Sequence, residues 1–191
     1  MISAAPAWRT PRTWIRCGYM AMAVVMLAGA VTGAVAQTQP DEYQLQAAFL
    51  FNFGKFIDWP PTAKAGALII CLTESPKTAD ALEALTRGKR VNGREVTVQR
   101  GIPKDGTDGC HILFIGQKTK GNRRSQLAAI RNLPVLTVGA DDDFLMQGGM
   151  VNLANEDSHI QLQINRDLAE RAGLTLSSKL LSLAKIVRSK S

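Results

Sequence analysis

The apolar and polar positions change rhythm several times along the chain. In residues 41–57, "DEYQLQAAFLFNFGKFI", apolar residues fall at 45, 48, 49, 51, 53 and 56, with no proline. That spacing predicts an amphipathic helix with a wide apolar face. Asp41 and Glu42 suit its N-terminus, and Pro60-Pro61 must stop it, with Trp59 pushed to extended geometry. Asn52, Lys55 and Asp58, three residues apart, mark its expected wet side. "ALIICL" (67–72) is a continuous apolar run that predicts a buried strand. A second helix is expected over 76–86, with Pro76 in its first turn. Asn92-Gly93 predicts a turn before a strand near 95–99. "CHILFIG" (110–116) reads as a strand, 121–132 as a helix, and 133–139 as a strand. A short helical turn ending in Gly148-Gly149 should follow. "MVNLAN" and "HIQLQIN" predict a hairpin around residues 156–158, and 166–187 two helical stretches split near Gly173.

Apolar strands alternate with helices through the first two-thirds. The expected fold is therefore α/β, a largely parallel central sheet with helices on both faces and a C-terminal antiparallel hairpin. No internal repeat or low-complexity tract interrupts it.

The first 36 residues have a different character. Arg9, Arg12 and Arg16 precede the apolar stretch "GYMAMAVVMLAGAVTGAVA", which ends in Ala34-Val35-Ala36. A basic start, an apolar middle and an A-x-A exit predict a secretory signal peptide over 1–36, the alternative being a permanent membrane anchor. No cysteine follows Ala36, so a lipid anchor there is not expected. Residues 37–191 would then form a single exported domain. Cleavage would remove three of the 23 basic residues and none of the 16 acidic ones, leaving a net charge of +4. That mild excess does not suggest nucleic acid, and it suits solubility or an anionic partner.

Export gives the cysteines meaning. Cys17 would leave with the leader, and Cys71 and Cys110 would enter an oxidising compartment, where a single disulfide is the default and two buried thiols the alternative. Closing a loop of roughly 40 residues contributes about 4 kcal/mol on the chain-entropy model. One geometric difficulty stands in the way. Cys71 sits late in its predicted strand and Cys110 at the start of its own, so parallel neighbours would hold the sulfurs at different heights. Either the register is offset, or the bridge is strained and easily reduced, as a redox sensor would need.

Catalytic chemistry has little support. His111 lies inside an apolar run, and Ser158 beside His159 makes no triad, because adjacent strand residues face opposite ways. Asp141-Asp142-Asp143 lacks the spacing of a calcium loop and reads as a solvated turn. No phosphate loop, dinucleotide fingerprint or metal-ligand pair occurs, so neither a cofactor nor a metal is expected. Of two basic clusters, Arg87, Lys89, Arg90 and Arg94 form the first. The second, Lys118, Lys120, Arg123 and Arg124, follows a strand and opens a helix, where an anion could bind. Gly148, Gly149, Asn152 and Asn165 read as residues that shape the backbone.

Taken in order, the segments resemble the YfiR-like family over about 43–187. They are "QLQAAFLFNFGKFIDWP", "LIICL", "LTRGKRVNGREVTV", "GCHILFIG", "PVLTVG" leading to "GGMVNL", "IQLQIN", and "AGLTLSSKLLSLAKIV". The resemblance implies a non-catalytic periplasmic repressor. It would bind the periplasmic part of an inner-membrane diguanylate cyclase, YfiN, and lower cyclic di-GMP. An OmpA-like outer-membrane lipoprotein, YfiB, could sequester it, and disulfide integrity would influence it. The chain departs from the family pattern in lacking a second cysteine pair in its C-terminal third, which puts any redox behaviour of that pair in doubt. Phe49, Phe53, Phe56 and Trp59 are the candidate partner surface, for the cyclase or for a homodimer. A periplasmic domain that senses an anionic small molecule is the rival reading.

Overall fold

The computed structural model describes residues 41–188, apart from 105, 117–121 and 157–158. The expected signal peptide, Lys118 and Lys120 lie outside the described residues.

Helix α1 (Glu42–Phe56) starts where Asp41 accepts the N–H of Gln44 at 2.8 Å, a side-chain cap on a free helical donor. It ends as Ile57 turns extended, and Ile57–Asp58 form the short strand β1. β2 (Leu68–Thr73) and α2 (Pro76–Thr86) follow. The two-residue β3 (Arg90–Val91) joins β4 (Arg94–Arg100) through Asn92 and Gly93, both at positive φ, as a tight hairpin turn requires. β5 (Ile112–Ile115), α3 (Arg123–Ile130) and β6 (Leu136–Gly139) complete the alternating part. A run of turns leads to the antiparallel hairpin of β7 (Val151–Glu156) and β8 (His159–Ile164). The C-terminal region holds α4 (Arg166–Arg171), β9 (Thr175–Leu176), α5 (Ser178–Ser182) and β10 (Lys185–Ile186). Each of its two helical stretches is thus followed by a two-residue strand.

The main sheet has the order β10-β8-β7-β6-β5-β2-β4-β3, and β1 pairs separately with β9. Five adjacent strands, from β7 to β4, are parallel; β3 runs antiparallel to β4 at one edge, and β8 runs antiparallel to β7 but parallel to β10, which forms the other edge. Alternation along β2 and β5 divides the core. Ile70, Leu72, Ile112 and Phe114 join the core with α1 and α2. Cys71, Leu113 and Ile115 join the opposite core with Leu127 and Ile130 of α3. Helices therefore cover both faces.

α1 packs unusually close to the sheet at Gly54. A Cβ there would lie 2.5 Å from Leu68 Cδ2 and 3.2 Å from Val91 Cγ1, so a larger residue would require the buried Leu68 side chain to move.

The cysteine difficulty has a simple resolution. Cys71 stands opposite Leu113, but Cys110 is outside β5. It follows a 3-10 turn (Thr107–Gly109) that carries the chain toward β2 before the strand begins. The two Cα atoms lie 5.9 Å apart, inside the ordinary range for a disulfide, and the bridge is formed. Both residues are buried.

Candidate functional site

Three of the four aromatic residues singled out between 49 and 59 line one groove, and all three lie in α1. Phe49, Phe53 and Phe56 recur at helical spacing along the face turned to β8 and α5. Ile160 and Leu162 of β8, with Leu180 and Leu183 from the α5 region, form the other walls of a depression of about 660 Å³. Phe53 belongs to the core at 1 % exposure, and its ring centroid is 6.2 Å from that of Phe49. Phe49 and Phe56 are half-buried, whereas Leu183 is 71 % exposed. A large apolar side chain left open beside an aromatic wall marks a surface suited to an apolar partner. One lysine borders it: Lys179 places its Nζ 5.7 Å from the Phe56 ring centroid, whereas Lys55 lies over the Phe51 ring, outside the lining. Glu156 is the acidic residue of the lining.

Trp59 lies elsewhere. Its Nε1–H donates to the His111 carbonyl at 3.2 Å, and its ring stands edge-on to the imidazole at 5.6 Å. It thereby fixes the exit of α1 onto the start of β5. His111 is buried, accepts the Ile69 N–H at Nδ1 and approaches the Lys64 carbonyl with Nε2 at 2.9 Å. Burial first, and the neighbouring Arg94 cation second, lower its pKa to about 4. A neutral imidazole with both nitrogens engaged holds the chain in place.

The basic clusters do not converge as an anion site among the described residues. Arg90 pairs with Glu95 at 2.8 Å, and Arg94 donates to the carbonyls of Gly66 and Ala67. Lys89 lies over the Phe51 ring. Arg123 is buried, its Nη1 2.8 Å from Asp141 Oδ2, while Arg124 is exposed. The charge of Arg123 is thus already matched inside the fold. Asp141 is committed to that ion pair, and no group of three or more His, Cys, Asp or Glu among the described residues is placed to hold a metal ion. Asn152 accepts the Asp141 N–H, Asn165 caps α4, and a Cβ on Gly149 would collide with the Phe144 ring. These are shaping roles.

A second, smaller hollow of about 300 Å³ lies at the C-terminal ends of β2, β5 and β6. Here the chain leaves β2 through α2 on one face and β5 through α3 on the other, the crevice where doubly wound sheets bind ligands. Its walls include Ser75 and Thr78 at the start of α2, Gly116 after β5, and Gln46, which accepts the Thr78 hydroxyl at 2.8 Å.

Sequence reasoning found the α1 side of the groove and missed the rest. Ile160 and Leu162 belong to an alternating strand, and Leu180 and Leu183 to a short helical stretch. Nothing local distinguishes them from core. The one available signal is the leucine excess of "KLLSL", too many apolar residues for so short a helix to bury. Among the described residues, no helix is long and apolar enough to cross a membrane. Residues 43–185 match the family described as YfiR/HmsC-like. No curated protein matches the chain.

Proposed function

The chain belongs to the YfiR/HmsC-like family, and from that premise we propose that it binds and represses an inner-membrane diguanylate cyclase of the YfiN type. The family is one of periplasmic regulators of diguanylate cyclase, not of catalysts. In this reading residues 1–36 are a cleaved signal peptide and residues 37–191 the working domain. The partner is the periplasmic region of the cyclase, engaged through Phe49 and Phe56 with their neighbours in the groove. An OmpA-like lipoprotein of the YfiB type would compete for the regulator, and a homodimer would hide the same apolar surface.

The observation that carries this reading is the groove itself. Half-buried Phe49 and Phe56 face an exposed Leu183 across an apolar depression with Lys179 at its edge. Such a surface costs solubility unless something covers it.

Cyclic di-GMP measured in cells with and without the gene tests the proposal. Deletion should raise the level, and the wild-type gene should restore it. An unchanged level across several growth conditions would reject the repressor reading. The crevice at the ends of β2 and β5 favours a second reading, a sensor domain for an anionic small molecule. Saturable binding of such a molecule, with no effect on cyclic di-GMP, would support it.

A further inference from the structure

β8 is paired along its whole length on one side only. Against β7 the register runs from His159 opposite Glu156 to Ile164 opposite Val151. On its other side β10 meets only Gln163 and Ile164. Backbone groups along a strand point alternately to its two neighbours. Asn165 N–H donates to the Met150 carbonyl, and the Ile164 carbonyl accepts from Val187 N–H, both at 2.8 Å. Odd-numbered residues of β8 therefore bond toward β7, and even-numbered ones point outward. Among the described residues, no strand pairs with the outward N–H groups of Ile160 and Leu162, because β10 begins at Lys185, whose register opposite Gln163 takes up the Leu162 carbonyl and nothing before it.

This open edge is also a wall of the 660 Å³ groove, with Phe49, Phe53 and Phe56 on α1 across from it. Folded proteins usually cover, shorten or charge an open strand edge, because it templates pairing with another chain. Here it borders an apolar depression instead. A helix laid in the groove would fill the depression and leave the amides of Ile160 and Leu162 bare. An extended segment would satisfy both, with its main chain bonded to β8 and alternate side chains entering the groove. The charges narrow the choice. Lys179 stands at the Phe56 ring, and exposed Lys185 lies on β10 beside the end of β8, against Glu156 in the lining.

We propose that the groove takes its partner by strand addition. An extended segment with alternating apolar residues, flanked by Asp or Glu, adds to the outer edge of β8 at Ile160–Leu162. This specifies the binding mode of the regulator reading and rests on it.

A random heptapeptide library displayed on phage, selected on residues 37–191, tests the proposal. The enriched sequences should alternate apolar and polar positions and carry acidic ends. Synthetic versions should slow amide hydrogen exchange at Ile160 and Leu162 at least tenfold. Ile160→Pro removes an outward donor and no β7 bond, so it should weaken peptide binding at least tenfold, while Gln161 and Gln163 keep their protection. Ile160→Ala keeps the donor and should weaken binding less, and Lys179→Glu should weaken it several-fold. Selection that enriches nothing, apolar residues at helical spacing, or full affinity in Ile160→Pro would overturn strand addition. So would protection of the two amides that grows with protein concentration without peptide, since the occupant would then be a second copy. The two readings fail separately. Normal repression in cells by Ile160→Pro would reject strand addition alone. Unchanged cyclic di-GMP on deletion of the gene would reject the regulator reading and leave the peptide result standing.

Discussion

The guanidinium of Arg94 lies 2.6 Å from Nε2 of His111, a cation against a buried imidazole. Nδ1 already accepts the Ile69 N–H, so a second proton would displace that bond and meet the field of Arg94. His111 titrates near 4 in the fold, lowered by burial and then by Arg94, whereas an unfolded histidine titrates at about 6.5. Between those values the unfolded chain binds the extra proton. Stability is therefore full above about pH 6.5 and is lost as pH falls through 4, by at most about 3 kcal/mol. The melting temperature should drop between pH 7 and pH 4.5. His111→Gln should be less stable at pH 7, with a flatter profile across that window. An equally steep profile in the variant would assign the acid sensitivity to other groups.

Cys71 and Cys110 close a loop of 39 residues' separation between β2 and the entry to β5. The chain-entropy model gives such a bridge about 4 kcal/mol. Both residues are buried, at 0 % and 2 % exposure, so reductant must wait for an opening of the fold. Thiol titration of the native mature protein should find no reactive thiol. Cys71→Ser should melt well below the wild type, and reductant should not lower it further. Two thiols titrating at once under native conditions would show the bridge to be open or readily reduced.

The sequence made the long elements legible and left the short ones hidden. α1 and α2 carry their own punctuation in Asp41, Pro60 and Pro76, so their limits follow closely from local pattern. The apolar run at 110–116 overstates β5, because Cys110 is buried by its disulfide, and His111, whose main chain still bonds Ile69 and Leu136, also has its imidazole engaged by the Ile69 N–H just ahead of the strand. β1 and β9 exist only through each other, Ile57 opposite Leu176, and a two-residue strand has no periodicity to read. The aromatics of α1 pointed to a surface, but Trp59 was indistinguishable from Phe56 until its indole N–H found the His111 carbonyl. Arg123 looked like a free cation at a helix start, and its partner Asp141 lies on the far side of β6 in sequence.

That pair, Arg123 with Asp141, is a buried ion pair at 2.8 Å. Removing one partner strands the other charge in a poorly solvated place, which typically costs about 3–5 kcal/mol. Asp141→Asn and Arg123→Met should each lower stability by an amount of that order in urea unfolding. The double variant Arg123→Met/Asp141→Leu should recover part of the loss, because no charge is then left alone. Strictly additive losses would mean that the two side chains do not interact energetically.

The groove offers a cleaner separation of stability from binding, because its residues differ in burial. Phe53 is 1 % exposed, so Phe53→Ala should cost about 3–5 kcal/mol and lower the amount of protein in the cell. Loss of repression by that variant would therefore say nothing about contact. Leu183 is 71 % exposed at the groove's edge, and Leu183→Asp should leave the melting temperature within a few degrees of the wild type. It also places a carboxylate in an apolar contact, where desolvation without a partner is costly. Cells carrying Leu183→Asp should accumulate the protein normally and still show the raised cyclic di-GMP of the deletion. Phe56→Ala, half-buried beneath Lys179, should fall between the two in both measurements. If Leu183→Asp represses as well as the wild type at equal protein level, the docking surface lies elsewhere on the domain.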